Sequence, residues 1–182
     1  MPSPTIDAII AAAQGEMQTL AGRVAEGEMK PSAWIREMRI TLTRQWAGAY
    51  QAGLGREPTQ QELKWLEREY NKHDRFLRGF RDDIASGKLT PVQIEARANM
   101  YGDRLRGLYE AGRAAGHELV LPFVPGSGHT QCLVNCRCHC EFTEEEGKPI
   151  AIWVMDPAAE HCPDCEKLNG LPHTEWKAAI GE

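Results

Sequence analysis

Residues 129–165 read HTQCLVNCRCHCEFTEEEGKPIAIWVMDPAAEHCPDC. Two short apolar runs rich in strand-forming residues, Cys138–Phe142 and Ile150–Val154, lie in the middle of this stretch. The polar residues 143–149 between them include a glycine and a proline, which is typical of a turn. We therefore predict a β-hairpin here. At the open end of the hairpin, the chain before the first strand lies close to the chain after the second.

All six cysteines of the 182-residue chain lie in this stretch, in one cluster that precedes and enters the first strand and a second that follows the second strand. Residues 1–10 lack the basic region and apolar core of a secretory signal, so we expect synthesis in a reducing cytosol, where disulfides are disfavoured. Clustered cysteines in such a chain indicate metal binding or redox chemistry. Thiolates from both clusters, held by a hairpin, predict one structural zinc ion with four thiolate ligands. The candidate ligands are Cys132, Cys136, Cys138, Cys162 and Cys165.

The choice of four ligands from these five stays open in the sequence. Cys162 and Cys165 have the C-x-x-C spacing with which a tight turn holds one ion. Neighbouring cysteines on one face of a strand lie roughly 6.6 Å apart, which is too far for Cys136, Cys138 and Cys140 all to bind one zinc. We favour Cys132 with Cys136, keep Cys138 or a histidine as the substitute, and predict that Cys140 is a buried apolar residue. His161 and His129 are assigned to the surface or to an orienting role, and Asp156 to orienting the second cluster.

The first two thirds of the chain predict three or four helices. Apolar residues recur every three or four positions from Pro31 to a stop at Gly53 and Gly55, and again from a Thr59 cap to Gly87. A third helix is predicted from Thr90 to Gly116, with the buried stripe Ile94, Ala98, Tyr101, Leu105 and Leu108. Further helices are predicted over 6–24 and 174–180.

These elements define a mainly α fold with a small C-terminal appendage. We predict a helical body over residues 1–118, an extended linker rich in proline and glycine over 119–128, and a zinc-binding β-hairpin module over 129–182. No apolar stretch approaches the ~18 residues that cross a bilayer, so we predict no membrane role.

Two other functional classes were weighed. The net charge of −5 opposes general nucleic-acid binding, but Arg97, Arg104, Arg106 and Arg113 give the third helix a basic side, and Arg137 lies inside the first cysteine cluster. A DNA-binding zinc module acting in packaging or regulation, with weak DNA contact, is therefore the alternative hypothesis. An enzyme is not predicted, because the His-x-Glu of nucleobase deaminases is missing and a redox C-x-x-C is expected in a βαβ setting. No small-molecule substrate is predicted either.

Three segments together resemble the Mu F-like head morphogenesis family of tailed bacteriophages. They are residues 89–101 (LTPVQIEARANMY), residues 128–138 (GHTQCLVNCRC), and Trp153 followed by residues 162–170 (CPDCEKLNG). The likeness covers most of the chain from about Trp34 onward, and the Cys-Arg-Cys and C-x-x-C elements are its most specific parts. In many relatives the C-x-x-C precedes the Cys-Arg-Cys element, whereas here the order is reversed.

The resemblance implies a non-enzymatic minor capsid protein needed for head assembly. It implies association with the portal or the major capsid protein. It also implies a location in the virion, in the capsid interior or portal region, after assembly in the host cytoplasm.

Overall fold

In a computed structural model, which describes residues 5–182, the chain is mainly helical and carries a small antiparallel hairpin near its C-terminus. The first four residues of the predicted helical body lie outside the described residues. The elements, in chain order, are α1 Ile6–Ala25, α2 Pro31–Leu54, α3 Gln60–Ala85, α4 Pro91–Asp103, α5 Leu105–Gly116, β1 His139–Glu145, β2 Lys148–Val154, α6 Pro163–Leu168 and α7 Trp176–Ile180. None of the described helices is long and apolar enough to span a membrane.

The chain forms two compact units. The first contains the described residues up to Gly48 together with Pro58–Asp103, and the second contains Ala49–Glu57 together with Arg104–Glu182. The sequence predicted a boundary after residue 118 instead. α5 therefore belongs with the hairpin and the cysteines and not with the preceding helices.

The first unit confirms the helix signals read from the sequence. Thr59 caps α3 with a reciprocal capping box: its hydroxyl accepts from the Glu62 N–H, and the Glu62 carboxylate accepts from the Thr59 N–H. α1 packs along α4, where Gly102 approaches Gln14 so closely that an added Cβ would lie 2.6 Å from its Cγ. Trp34 is fully buried and meets Phe80 edge to face, at 4.9 Å between ring centroids. This unit has an apolar core of its own.

The single helix predicted from Thr90 to Gly116 was wrong, because the chain breaks between α4 and α5 at Arg104. Gly102, which favours helix weakly, lies two residues before the break. The predicted stripe is divided accordingly: Ile94 and Ala98 are buried in the first unit, and Leu105 is buried in the second. The periodicity continued through the break, which is why the sequence concealed it.

Gly53 does not end α2 as predicted, since the helix continues to Leu54 and Gly55 follows it with φ +73°. Gly53 instead permits close contact with α5, because an added Cβ would lie 2.0 Å from the Tyr109 carbonyl oxygen. Gly112 serves the same contact from α5, where an added Cβ would lie 2.2 Å from the Tyr50 carbonyl oxygen. The last residues of α2 thus pack closely against α5 within the second unit.

Leu105 gives a direct test of this core. It is fully buried, so Leu105→Ala should lower the free energy of unfolding by about 2–5 kcal/mol, the range for large-to-small core changes. Chemical denaturation followed by circular dichroism measures the change. Val92→Ala in α4 is the control, because Val92 is 75% exposed and surface changes stay within about 0.5 kcal/mol. A Leu105 variant as stable as the Val92 variant would contradict the assignment.

Candidate metal centre

The hairpin is longer and its turn tighter than the sequence predicted. β1 and β2 pair from His139 opposite Val154 to Glu145 opposite Lys148, which leaves only Glu146 and Gly147 in the turn. Both have positive φ, 53° and 75°, as a two-residue type I′ hairpin requires. The predicted seven-residue turn was therefore wrong, but the predicted role of the hairpin is confirmed: the chain before β1 and the chain after β2 start from the same end.

A core of aromatic residues and cysteines supports this end of the hairpin. Trp153 on β2 meets Trp176 on α7 edge to face at 5.2 Å, and Phe123 lies 5.7 Å from Trp176. Phe123 belongs to the segment predicted as a linker. That segment forms neither helix nor strand and turns at Pro125 and Gly126, but Phe123 is only 4% exposed, and Gly126 lies against Arg106 and Gly107 of α5. Residues 119–128 are thus part of the packed second unit and do not act as a free linker.

The two cysteine clusters occupy short local structures that the sequence did not show. Cys132 precedes a 3-10 turn, Leu133–Asn135, which returns the chain to Cys136. Cys162 occupies the N-cap position of α6 without a side-chain capping hydrogen bond, Pro163 takes the first helical position, and Cys165 lies in the first turn. The turn predicted at Pro163 and Asp164 is therefore the start of a helix. β1 begins only at His139, so Cys136 and Cys138 lie outside the strand. The strand spacing of roughly 6.6 Å therefore does not apply to these two cysteines.

Five of the six cysteines converge and can hold a metal ion. Cys165 is central: its Sγ lies 3.5 Å from Sγ of Cys132, 3.6 Å from Sγ of Cys162 and 3.7 Å from Sγ of Cys136. Cys138 joins Cys136 and Cys165 in a group whose sulfurs all lie within 4.8 Å of one another. Two thiolates on one tetrahedral zinc lie roughly 3.8 Å apart, given bonds of ~2.3 Å. The sulfurs are therefore already spaced as metal ligands, and they are the five that the sequence proposed.

Cys140 is the sixth cysteine and lies elsewhere in the core. It is fully buried, and burial raises the pKa of its thiol. Its backbone N–H donates to the Glu110 carboxylate at 3.1 Å, and Glu110 is itself fully buried and ion-paired with Arg113. Neither group of metal-ligand atoms found among residues 5–182 includes Cys140. It is a buried side chain, as predicted, on the strand that Glu110 ties to α5.

Hydrogen bonds outside the sulfurs fix both clusters. The Asp164 carboxylate accepts from the Gln131 backbone N–H at 3.0 Å, which joins the segment before Cys132 to the start of α6. The Thr130 hydroxyl is buried and lies 3.2 Å from Sγ of Cys132. Neither residue was predicted from the sequence to have such a role. The only signal for Asp164 was its position between the two cysteines of the C-x-x-C.

His161 lies at the cluster rather than on the surface. Its Nε2 is 2.7 Å from the Asp156 carbonyl oxygen, which can only accept, so Nε2 carries a proton. Its Nδ1 lies 3.5 Å from Sγ of Cys138. The predicted orienting role of Asp156 is thus exerted through its backbone on His161. His129 stacks on Phe123 at 5.3 Å between ring centroids, and its Nδ1 shares a hydrogen bond with the Ser127 hydroxyl. It therefore packs against the aromatic core and does not contact the sulfurs.

The clustered thiols shift one another's pKa values strongly. Hydrogen bonding with Cys136 and Cys165 lowers the pKa of Cys138 to about 4, whereas Cys136 and Cys138 raise the pKa of Cys165. Burial raises the pKa of Cys132 to about 11. Metal binding near neutral pH must therefore displace protons from Cys132 and Cys165, so metal affinity falls as the pH falls.

Comparison with known proteins found no matching family model, no similar curated protein and no similar solved structure.

Proposed function

We propose that this protein is a structural minor capsid protein acting in head morphogenesis of a tailed phage, and that its cysteine cluster holds structural zinc. One observation carries the proposal: the two segments whose sequences resemble the head morphogenesis family, residues 128–138 and 162–170, are the segments whose cysteines converge. A resemblance made of two separate motifs is strengthened when both motifs build one site.

Zinc is the metal that best fits the donors. Cysteine thiolates at tetrahedral spacing favour zinc among the common ions, and a reducing cytosol leaves the thiols available for it. The elements around the cluster are short: α6, which carries Cys165, has six residues, α7 beside it has five, and a two-stranded hairpin is marginal in water. A structural role follows, because the ion connects segments that have little stability alone. We propose no catalytic residues and no small-molecule substrate.

The proposed partners are the portal or the major capsid protein, and the proposed location is the virion, in the capsid interior or portal region, after assembly in the host cytoplasm. The DNA-binding alternative loses support in the structure. Arg97 is ion-paired with Asp83 at 2.8 Å, Arg106 is only 5% exposed, and Arg113 is paired with the buried Glu110. Three of the four arginines on the basic side of the predicted third helix thus serve intramolecular contacts.

Removing the gene from the phage that encodes this protein tests the assembly role. Other phage proteins should be made at normal levels, while heads are defective or poorly infectious, as counted by plaque titre and electron microscopy. Complementation with the intact gene is the control, and co-purification with portal or major capsid protein identifies the partner. Normal titres with fully packaged heads would reject the proposal, and a salt-dependent shift of duplex DNA would favour the alternative.

A further inference from the structure

The five clustered cysteines form two groups that share one sulfur. The outer group is Cys132, Cys162 and Cys165, and the inner group is Cys136, Cys138 and Cys165. Within each group the sulfurs all lie within 4.8 Å of one another. All three members of the inner group are buried, whereas Cys132 and Cys162 are half-buried.

A single tetrahedral ion does not use all of these donors. Zinc in a structural site takes four ligands, and every pair of its sulfurs lies roughly 3.8 Å apart. Cys165 satisfies this spacing toward both groups, at 3.5 and 3.6 Å to the outer cysteines and 3.7 Å to Cys136. A sulfur so placed can bridge two ions.

We propose that the cluster holds two zinc ions bridged by the Cys165 thiolate, one in the outer group and one in the inner group. The inference rests on the metal-binding function proposed above and adds the number of ions and the division of the ligands.

Charge favours the second ion. Two divalent cations leave five thiolates with one net negative charge, whereas with one cation a cysteine that binds no metal has to keep its proton. Cys136, Cys138 and Cys165 are each no more than 2% exposed, and uncompensated charge at such positions is costly. Two ions give every thiolate in the cluster a cation of its own or a shared one.

We assign His161 as the fourth ligand of the inner ion: its Nδ1 lies beside Cys138 but outside the group of atoms within 4.8 Å of one another, so the ring must move toward Cys136 and Cys165 to complete the site. Because Nε2 donates its proton to the Asp156 carbonyl, the lone pair of the neutral ring is on Nδ1, which lies 3.5 Å from Sγ of Cys138. A nitrogen and a sulfur on the same tetrahedral zinc lie roughly 3.6 Å apart. A metal-binding histidine ordinarily donates its other N–H to a carbonyl or carboxylate, as His161 does.

Metal stoichiometry and ¹¹³Cd NMR test the proposal on the full-length protein. Native mass spectrometry of the zinc-loaded chain should show two ions, and the cadmium-substituted chain should give two resonances of equal intensity in the thiolate region. Cys138→Ser should remove the inner resonance and Cys162→Ser the outer one, each leaving one ion, while Cys165→Ser removes both. Cys140→Ser is the matched control and should retain two ions.

His161→Ala should shift or abolish only the resonance that Cys138→Ser removes. A shift of the other resonance, or of neither, would overturn the assignment of His161. One ion and one resonance in the unchanged protein would overturn the two-ion inference and leave the proposed zinc site standing. The complete absence of bound metal would overturn both. The wild-type resonance count keeps the test decisive even where a variant fails to fold.

Discussion

Cys165→Ser is expected to release all metal from the protein and to unfold the region after Gly128. Cys165 is the sulfur within 3.7 Å of three other cysteine sulfurs, and it belongs to both groups of ligands. No other single substitution reaches every part of the cluster. A serine hydroxyl is a poor zinc ligand, so the remaining thiols lose their common partner.

The expected effect is large because the proposed structural zinc couples metal binding to the folding of this region. Structural zinc in small peptides contributes about 10–16 kcal/mol of apparent binding free energy, which is comparable to the whole stability of a typical domain, about 5–15 kcal/mol. The helices α1, α3 and α4 belong to the other compact unit, whose core contains no cysteine. Their helical signal should therefore remain.

Zinc content by elemental analysis and backbone amide hydrogen exchange measure these outcomes. Cys140→Ser provides the comparison, since it also exchanges a buried sulfur for a hydroxyl but lies outside the cluster. It should lose some stability and keep its metal. Equal metal loss in the two variants would show that Cys165 has no special place among the cysteines.

Trp153→Ala is expected to destabilise the second unit by about 3–5 kcal/mol, as deletions of buried tryptophan do. Trp153 is fully buried and contacts the rings of Trp176 and Phe123. Its backbone N–H donates to the Leu171 carbonyl, and its carbonyl accepts from Gly170, so β2 is also hydrogen-bonded to the chain after α6. Removing the indole leaves a cavity beneath both the hairpin and the cysteines.

Denaturation followed by circular dichroism gives the free energy of unfolding for this variant. Val120→Ala is the control within the same unit, because Val120 is 94% exposed and its change should stay within about 0.5 kcal/mol. If the Trp153 and Val120 variants were equally stable, the metal alone, and not the aromatic core, would hold this region together.

The sequence predicted the parts of this fold that depend on local signals. The capping box at Thr59, the apolar spacing of α2 and α3, and the alternation of the hairpin are each contained within a few residues. The break at Arg104 escaped detection because the apolar period runs through it without a proline. Gly53 was misread as a helix end because only the α5 backbone, distant in sequence, shows why a side chain is excluded there.

The site was predictable in its residue types but not in its geometry. Cysteines clustered before the first strand and after the second, at the open end of one hairpin, indicated the five candidate ligands. The distances that make Cys165 central depend on a 3-10 turn and on α6, which are too short to leave a periodic pattern. The sequence assigned His161 to the surface or to an orienting role, because it does not show which way a histidine beside cysteines points. The hydrogen bond from His161 to the Asp156 carbonyl, which sets that direction, is visible only in the structure.

Metal analysis of freshly purified, reduced protein tests the central claim most directly. The account predicts zinc bound by thiolates, with Cys132, Cys136, Cys138, Cys162 and Cys165 protected from thiol reagents until a chelator removes the metal. Chelation should then melt the region after Gly128 and leave the helices α1, α3 and α4 of the other compact unit folded. The contradicting result is a protein without zinc whose cysteines resist thiol reagents until a reductant is added, because that behaviour identifies disulfides in place of a metal centre.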